Sequence, residues 1–264
     1  MEIIGYASAI LIGISLGLIG GGGSILTVPV LVYLFGLDAF PATEYSLFIV
    51  GISSLVGSVS YLKKGLVNFK MAMIFGIPSV LAIFLTRIYL LPLIPEEVFR
   101  IQNFTITRDI FLLLIFAGLM ILASYKMIKS NASEKLLEIA TDKNNTLLAG
   151  VQGSVVGVLT GLVGAGGGFM IIPALVNLLR IPMKIAIGTS LVIICFNSLI
   201  GFVSSVNHVE IEWKLLISIT AVAVAGIIIG TQLSKKIDGK KLKPAFGWFI
   251  LVMGIYIIAK EIFL

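Results

Sequence analysis

Gly17-Leu-Ile-Gly-Gly-Gly-Gly-Ser24 is a stretch that no uninterrupted helix tolerates cheaply, and the chain carries it twice. At an offset of 144 residues it returns as Gly161-Leu-Val-Gly-Ala-Gly-Gly-Gly168. Each copy follows an apolar run and leads into another, with a proline at the same place, Pro29 and Pro173. Working outward without a gap, Ala42 matches Ala186, Ser46-Leu47 matches Ser190-Leu191, and Ser54-Leu55 matches Ser198-Leu199. Gly57/Gly201, Ser60/Ser204 and Lys70/Lys214 follow at the same offset. Roughly twenty identities over about seventy aligned positions exceed what shared composition gives, so the chain is a duplication. In a membrane protein, helix breaks at matching places of two halves point to a binding site.

Composition identifies the solvent as a bilayer. Hydrophobic residues make up 58% of the 264, charged residues only 12%, and the mean hydropathy is +1.12. Those values lie far from a soluble domain. The weak alternation of a barrel strand is absent, so helices are predicted throughout. The net charge of +6 does not indicate nucleic acid, because the lysines and arginines fall between apolar runs. Cys195 is the single cysteine and lies in an apolar run, which excludes a disulfide framework and a thiolate metal site. The start, Met1-Glu2-Ile3-Ile4, lacks the cationic region of a cleavable leader, so the first helix is expected to be retained.

Apolar segments fall near 3–20, 24–36, 43–62, 70–91 and 108–128, and recur near 147–164, 168–179, 185–206, 213–234 and 244–263. The expected division is a first transmembrane repeat at 1–128, a cytoplasmic linker at 129–146 and a second repeat at 147–264. Residues 92–107 form the other substantial loop. The two short runs around each glycine cluster are either one broken helix crossing once or a hairpin returning to its side of entry. The single crossing divides the basic loops about 8 against 10. The hairpin puts fourteen lysines and arginines on the cytoplasmic side, from Lys63, Lys64 and Lys70 to Lys235 through Lys243. It leaves five opposite: Arg87, Arg100, Arg108, Lys214 and Lys260. The stronger bias selects the hairpin. Each half then makes an odd number of crossings, so the second is inserted upside down relative to the first. Both termini are expected outside, and the two glycine turns can approach each other near the midplane.

Backbone that is not helical at membrane depth needs protein, water or ligand as partner. Helices restarting near Ser24 and Gly168 present unpaired N–H groups and the positive ends of their dipoles. Two such ends make an anion site without a cationic side chain, and no lysine or arginine lies mid-segment. The candidate substrate-binding residues are Gly20, Gly21, Gly22, Gly23 and Ser24 with Gly164, Gly166, Gly167 and Gly168. Ser46, Thr189, Ser190 and Asn197 are expected to add hydrogen bonds, alongside Ser53-Ser54 and Ser198. Small polar residues also let transmembrane helices pack closely, and that reading stays open for this set. For Gly57/Gly201 and Ser60/Ser204 packing is the preferred reading. Glu44, whose repeat mate is Gly188, is expected to cap its helix at the interface, with a coupling role as the alternative. His208 falls in a predicted outer loop, and Trp213 suits an interfacial anchor.

Enzymatic readings fail. Gly164-Ala-Gly166 resembles the start of a dinucleotide fingerprint, but Phe169 stands where the third glycine belongs. No lysine follows the glycines as a P-loop requires, and no Ser-His-Asp set or HExxH is present. No cofactor or metal is expected.

Both glycine motifs, with Pro29 and Pro173, resemble the paired signatures of the TauE/SafE sulfite exporter family, and Ala186-Ile-Gly-Thr-Ser-Leu191 resembles its second-helix motif. The resemblance runs over essentially the whole chain. It implies an inner-membrane carrier, bacterial or archaeal, of sulfite, sulfonates such as sulfoacetate, or related anions. The first half departs from the pattern, with Glu44-Tyr45 in place of Gly188-Thr189. The expectation is therefore an all-α integral membrane protein of two inverted repeats, each a glycine-broken hairpin plus three transmembrane helices. It would work by alternating access, with a proton as the default coupling ion and sodium or facilitated flux left open. The rival functions are an anion channel using the same turns and a membrane scaffold subunit. Lipids and a small anion are the expected partners, and small-residue faces suit a homodimer as well as internal packing.

Overall fold

The computed structural model describes residues 2–101, 104–129, 143–164, 166–179, 181–206, 209–234 and 239–263. In the first half, α1 (Glu2–Ile19) ends at the glycine cluster, where Gly21–Gly23 make one 3₁₀ turn before α2 (Ser24–Tyr33). Then come α3 (Ala39–Leu62), α4 (Phe69–Leu85) and α5 (Arg108–Lys129). The second half repeats the order with α6 (Lys143–Val163), α7 (Gly168–Pro173), α8 (Met183–Ser205), α9 (Trp213–Leu233) and α10 (Gly239–Phe263).

Local chemistry sets the boundaries. The Asn68 side chain accepts a hydrogen bond from Met71 N at 3.0 Å and starts α4, as an N-cap should. Helix α3 begins at Ala39, four residues before the predicted segment, because Pro41 supplies no N–H but does no harm in a first turn. Its exposed amide at Phe40 is satisfied from outside by Asp109 Oδ1 at 2.9 Å. Helix α4 runs on into a wider π turn at Thr86–Leu90, closed by Leu91 N donating to Thr86 O at 2.8 Å. Helix α7 does the same through Ala174–Leu178. Such π turns concentrate at functional places in helices.

Among the described residues, four helical segments are long and apolar enough to cross a bilayer: Ala39–Leu62, Phe69–Leu93, Met183–Ser205 and Trp213–Leu233. Phe69, Met73, Ile77, Leu81 and Phe84 lie exposed down one face of α4, a surface suited to lipid rather than water. The chain is thus a helical membrane protein, with one correction to the expectation of helices throughout. Within loop 92–107, Glu97–Ile101 and Phe104–Thr107 pair as an antiparallel β-hairpin. Its β-branched and aromatic residues favour a pleated ribbon, and Arg108 N donates to Glu96 O at 2.8 Å across its base.

The helices interlock across the two halves. Helix α1 packs on α9, and its repeat mate α6 packs on α4. Helix α3 packs on α8, α5 on α10, and the α3–α9 contact has its counterpart in α8–α4. Every one of these pairings maps onto another, or onto itself, when the halves are exchanged. The α1–α9 and α6–α4 seams are lined by glycines four apart: Gly13 and Gly17 on α1, Gly226 and Gly230 on α9, and Gly153, Gly157 and Gly161 on α6. A side chain on Gly226 would meet Gly13 Cα at 3.0 Å, and one on Gly157 would meet Ser79 Cα at 2.9 Å. Backbones this close are the small-residue packing of membrane helices. The linker 129–146 is largely outside the described residues, as are His208 and Lys235–Lys236.

Candidate functional site

The two glycine breaks touch. A Cβ on Gly21 would collide with the Cα of Gly168, and one on Gly168 would lie 2.6 Å from the Gly21 carbonyl carbon. Backbone meets backbone with no side chain between. Gly20 turns the chain out of α1 with φ 73°, and Ser24 Oγ donates to Gly21 O at 2.7 Å to close the turn. In the second break Gly164, Gly166 and Gly167 all take positive φ, a conformation that side chains with a Cβ resist. Gly22 lies within the 3₁₀ turn.

Helices α3 and α8 hold this junction. A side chain on Gly166 would strike Ser198 Oγ at 2.6 Å and Val50 Cγ1 at 2.9 Å. One on Gly20 would strike Ser190 Oγ at 2.8 Å. Ser46, Val50, Ser53 and Ser54 fall on one face of α3, and their mates Ser190, Ile194, Asn197 and Ser198 on one face of α8. All eight are fully buried or nearly so.

What marks the place is unmet hydrogen bonding. The hydroxyls of Thr27, Ser46, Ser53, Ser54, Thr160 and Ser198 are buried without a partner, as is Asn197 Oδ1. Each such group costs on the order of 1–3 kcal/mol in an apolar interior. The omission is specific, because nearby serines bond back into their own helix: Ser58 to Leu55 O at 2.7 Å, Ser204 to Gly201 O at 2.7 Å. Asn197 Nδ2 donates to Ser79 Oγ at 2.8 Å, which leaves the amide oxygen as the orphan. Two residues of the expected set are engaged elsewhere. Thr189 Oγ1 accepts from Asn68 N at 2.9 Å and so fixes the start of α4. Ser190 Oγ donates to Ile187 O at 2.9 Å while facing Gly20. Gly57 and Gly201 sit against the aliphatic side chains of Ile227 and of Leu47 and Ile83, in line with packing.

The sequence reading missed one cation. The charge count places Arg87 on the outer side, yet it is wholly buried in the π turn after α4 and forms an ion pair with Glu44. Glu44 does not cap α3 at an interface; it lies in the second turn, fully buried, and Asp109 does the capping. Ser205 joins them, its Oγ 2.8 Å from both Arg87 Nη1 and Glu44 Oε2. Arg87 Nη2 reaches Thr43 Oγ1 at 3.4 Å, and Arg87 Nε has no partner. The pair adjoins the second glycine break. A side chain on Gly164 would strike Thr43, and one on Gly161 would meet Thr86 Cβ at 2.8 Å. The available signal was an arginine inside the apolar run 70–91, with room to turn inward along a helix.

The repeat mates of this trio carry no charge. Glu44, Arg87 and Ser205 correspond to Gly188, Thr231 and Tyr61. There the Leu66 carbonyl occupies the space that Gly188 leaves open, with Tyr61 Cβ beside it, 3.0 Å from where a Cβ on Gly188 would lie. The phenol hydroxyl is 3.1 Å from both Gly17 O and Ser234 Oγ. Trp213 opens α9 half exposed, edge-on to Phe48 and Phe202.

The sequence matches the family model described as sulfite exporter TauE/SafE over residues 6–257. It is 29% identical over 263 residues to a probable membrane transporter protein of Xylella fastidiosa, covering 97% of this chain and 94% of that one. It is 27% identical to the probable membrane transporter protein YunE of Bacillus subtilis, with 93% of each chain covered. A probable membrane transporter protein of Methanocaldococcus jannaschii is 25% identical over 94% of this chain and 92% of its own. No solved structure matches.

Proposed function

The chain belongs to the sulfite exporter TauE/SafE family, and from that premise we propose that it is a secondary transporter of small sulfur-containing anions such as sulfite or short organosulfonates. The observation that carries this reading is the junction of Gly21 with Gly168, where the unpartnered hydroxyls of Ser198 and Thr160 lie against Gly166 and Gly167 of the second break. An oxyanion is ligated by short O–H and N–H donors, and buried hydroxyls without protein partners are groups of that kind.

The two halves are read as inverted repeats with both termini outside. Support comes from the helix pairings that exchange with the halves and from the division of basic residues, fourteen to four once the buried Arg87 is set aside. Alternating access around the glycine junction follows from that symmetry, and a buried carboxylate beside the junction favours the proton as coupling ion. Purified protein in liposomes tests the function directly. Labelled sulfite should enter saturably and show counterflow against unlabelled anion. Flux that tracks the electrochemical gradient without saturation would make it a channel, and flux no greater than in empty liposomes would reject transport of this substrate.

A further inference from the structure

We propose that Glu44 and the transported anion compete for Arg87, so that one monovalent anion binds together with one proton. The inference rests on the transporter reading above and deepens it by naming the cation and the coupling group.

Charge balance is the core of the argument. Arg87 and Glu44 are both fully buried inside candidate spans, and each neutralises the other. The mate positions are the uncharged Gly188, Thr231 and Tyr61, and the Leu66 carbonyl fills the space beside Gly188, so the architecture does not need charge there. A buried ion pair is also poor value as a staple, since apolar replacement is often neutral or stabilising. The pair is placed to act on the junction, because Thr43 and Thr86, the chain neighbours of Glu44 and Arg87, lie against Gly164 and Gly161. Its guanidinium is incompletely used, with Nε lacking a partner in a buried setting. One cation cannot neutralise two anions in an apolar interior. When the oxyanion takes the guanidinium, the displaced carboxylate takes a proton from the medium and stays neutral. The site is uncharged before the event and uncharged after it.

The groups facing the pair are Ser205 from α8 and Thr43 from α3 itself. The other charged groups on elements packed against α3 and α4 sit in the first or last turn of their elements: Glu2 on α1, Arg108, Asp109, Lys126 and Lys129 on α5, Lys143 on α6, Lys184 on α8, and Glu212 and Lys214 at α9. Asp109 is already engaged with Phe40 N, and Arg108 stacks over the Phe40 ring at 4.4 Å.

Methanesulfonate, a permanent monoanion, is the right probe because any proton taken up must go to the protein. Titration calorimetry of the full-length protein in buffers of differing ionisation enthalpy counts protons per bound anion. The wild type should take up about one, with affinity weakening about tenfold per pH unit wherever free Glu44 is ionised. Glu44→Gln should bind with no proton uptake and no pH slope. Arg87→Met should lose roughly 10- to 150-fold in affinity, the value of a hydrogen bond to a charged group. If an unpaired arginine prevents Glu44→Gln from folding, infrared difference spectra of the wild type give a second readout: anion binding should produce a protonated carboxyl band. Binding without proton uptake or that band would overturn the proposal and leave the transporter reading standing. Uptake that persists in Glu44→Gln would overturn it too. Failure of the folded wild type to bind methanesulfonate would reject the proposal together with the sulfonate reading.

Discussion

Replacing Gly168 by alanine isolates the glycine junction from every other effect of the residue. Gly168 has no positive φ and opens a helix, so alanine costs nothing in backbone conformation and by propensity alone would stabilise by about 1 kcal/mol. Its methyl, however, would lie 2.6 Å from the Gly21 carbonyl carbon, where even tight real contacts begin near 3.0 Å and ordinary ones near 3.4 Å. Because the obstacle is backbone, no rotamer change relieves it, and the two breaks must part by most of an ångström. Overpacking of this kind costs about 1–3 kcal/mol. If the anion needs the breaks together, its affinity should fall by the same free energy, roughly 5- to 150-fold. Gly21→Ala attacks the same contact from the other side, so the two losses should not add in the double variant. Gly118→Ala on α5, where a Cβ meets nothing within 4 Å, is the control and should leave affinity unchanged. Anion titration and flux in liposomes, on variants shown to be folded and inserted, give the answer. A Gly168→Ala protein with wild-type affinity and flux would refute the junction as the site.

Ser53→Ala and Ser54→Ala remove buried hydroxyls that have no hydrogen-bond partner in the protein, so stability should hold or rise. Anion affinity should fall about 2- to 10-fold for each that serves as a ligand, and unchanged affinity in both would confine those serines to packing. Cysteines at Lys64 and Glu210, in a Cys195-free background, should label from opposite faces of intact cells. Labelling of both from one face would reject the inverted repeat.

Most of the helical layout was legible because long apolar runs leave the backbone one solution in lipid. The predicted segment 213–234 and the observed α9 differ by one residue, as do 185–206 and α8 at the C-terminal end. Glycine runs show where the helices break, since each residue there lowers the cost of leaving the helix. The meeting of Gly21 with Gly168 was anticipated only through the symmetry argument; no local signal brings two residues 147 apart together. Arg87 escaped for a physical reason. Hydropathy treats an arginine near the end of an apolar run as an interfacial residue, and its inward turn depends on a partner forty-three positions earlier. The hairpin at 97–107 was hidden in a stretch short enough to pass for loop. Thr189 shows the converse: a hydroxyl at the right repeat position can be spent on a neighbouring amide, and sequence cannot see which way it points.

The packing also decides which bodies can move. Gly13 and Gly17 tie α1 to α9 of the other half, and Gly153, Gly157 and Gly161 tie α6 back to α4. Each glycine hairpin is therefore anchored by its first limb to the opposite repeat, and the sequence halves cannot rock against each other as intact blocks. A Cβ added at any of these seam glycines would collide with backbone or with the neighbouring helix's side chains, so the two seams have no slack. The α3–α8 interface is different in kind, because its facing stripes hold hydroxyls without partners and their bonding can change as ligand arrives. Under the proposed alternating access, the movement should therefore run along α3 and α8, with α1–α9 and α4–α6 travelling as units. Hydrogen exchange on the liposome-bound protein tests this, since amides report local opening. Saturating anion should change exchange around Val50–Ser54 and Ile194–Ser198 and leave the Gly13–Gly17 and Gly226–Gly230 segments as they were. Changes concentrated in the glycine seams instead would mean that the anchors are the hinge, and that the stripes on α3 and α8 merely line a fixed cavity.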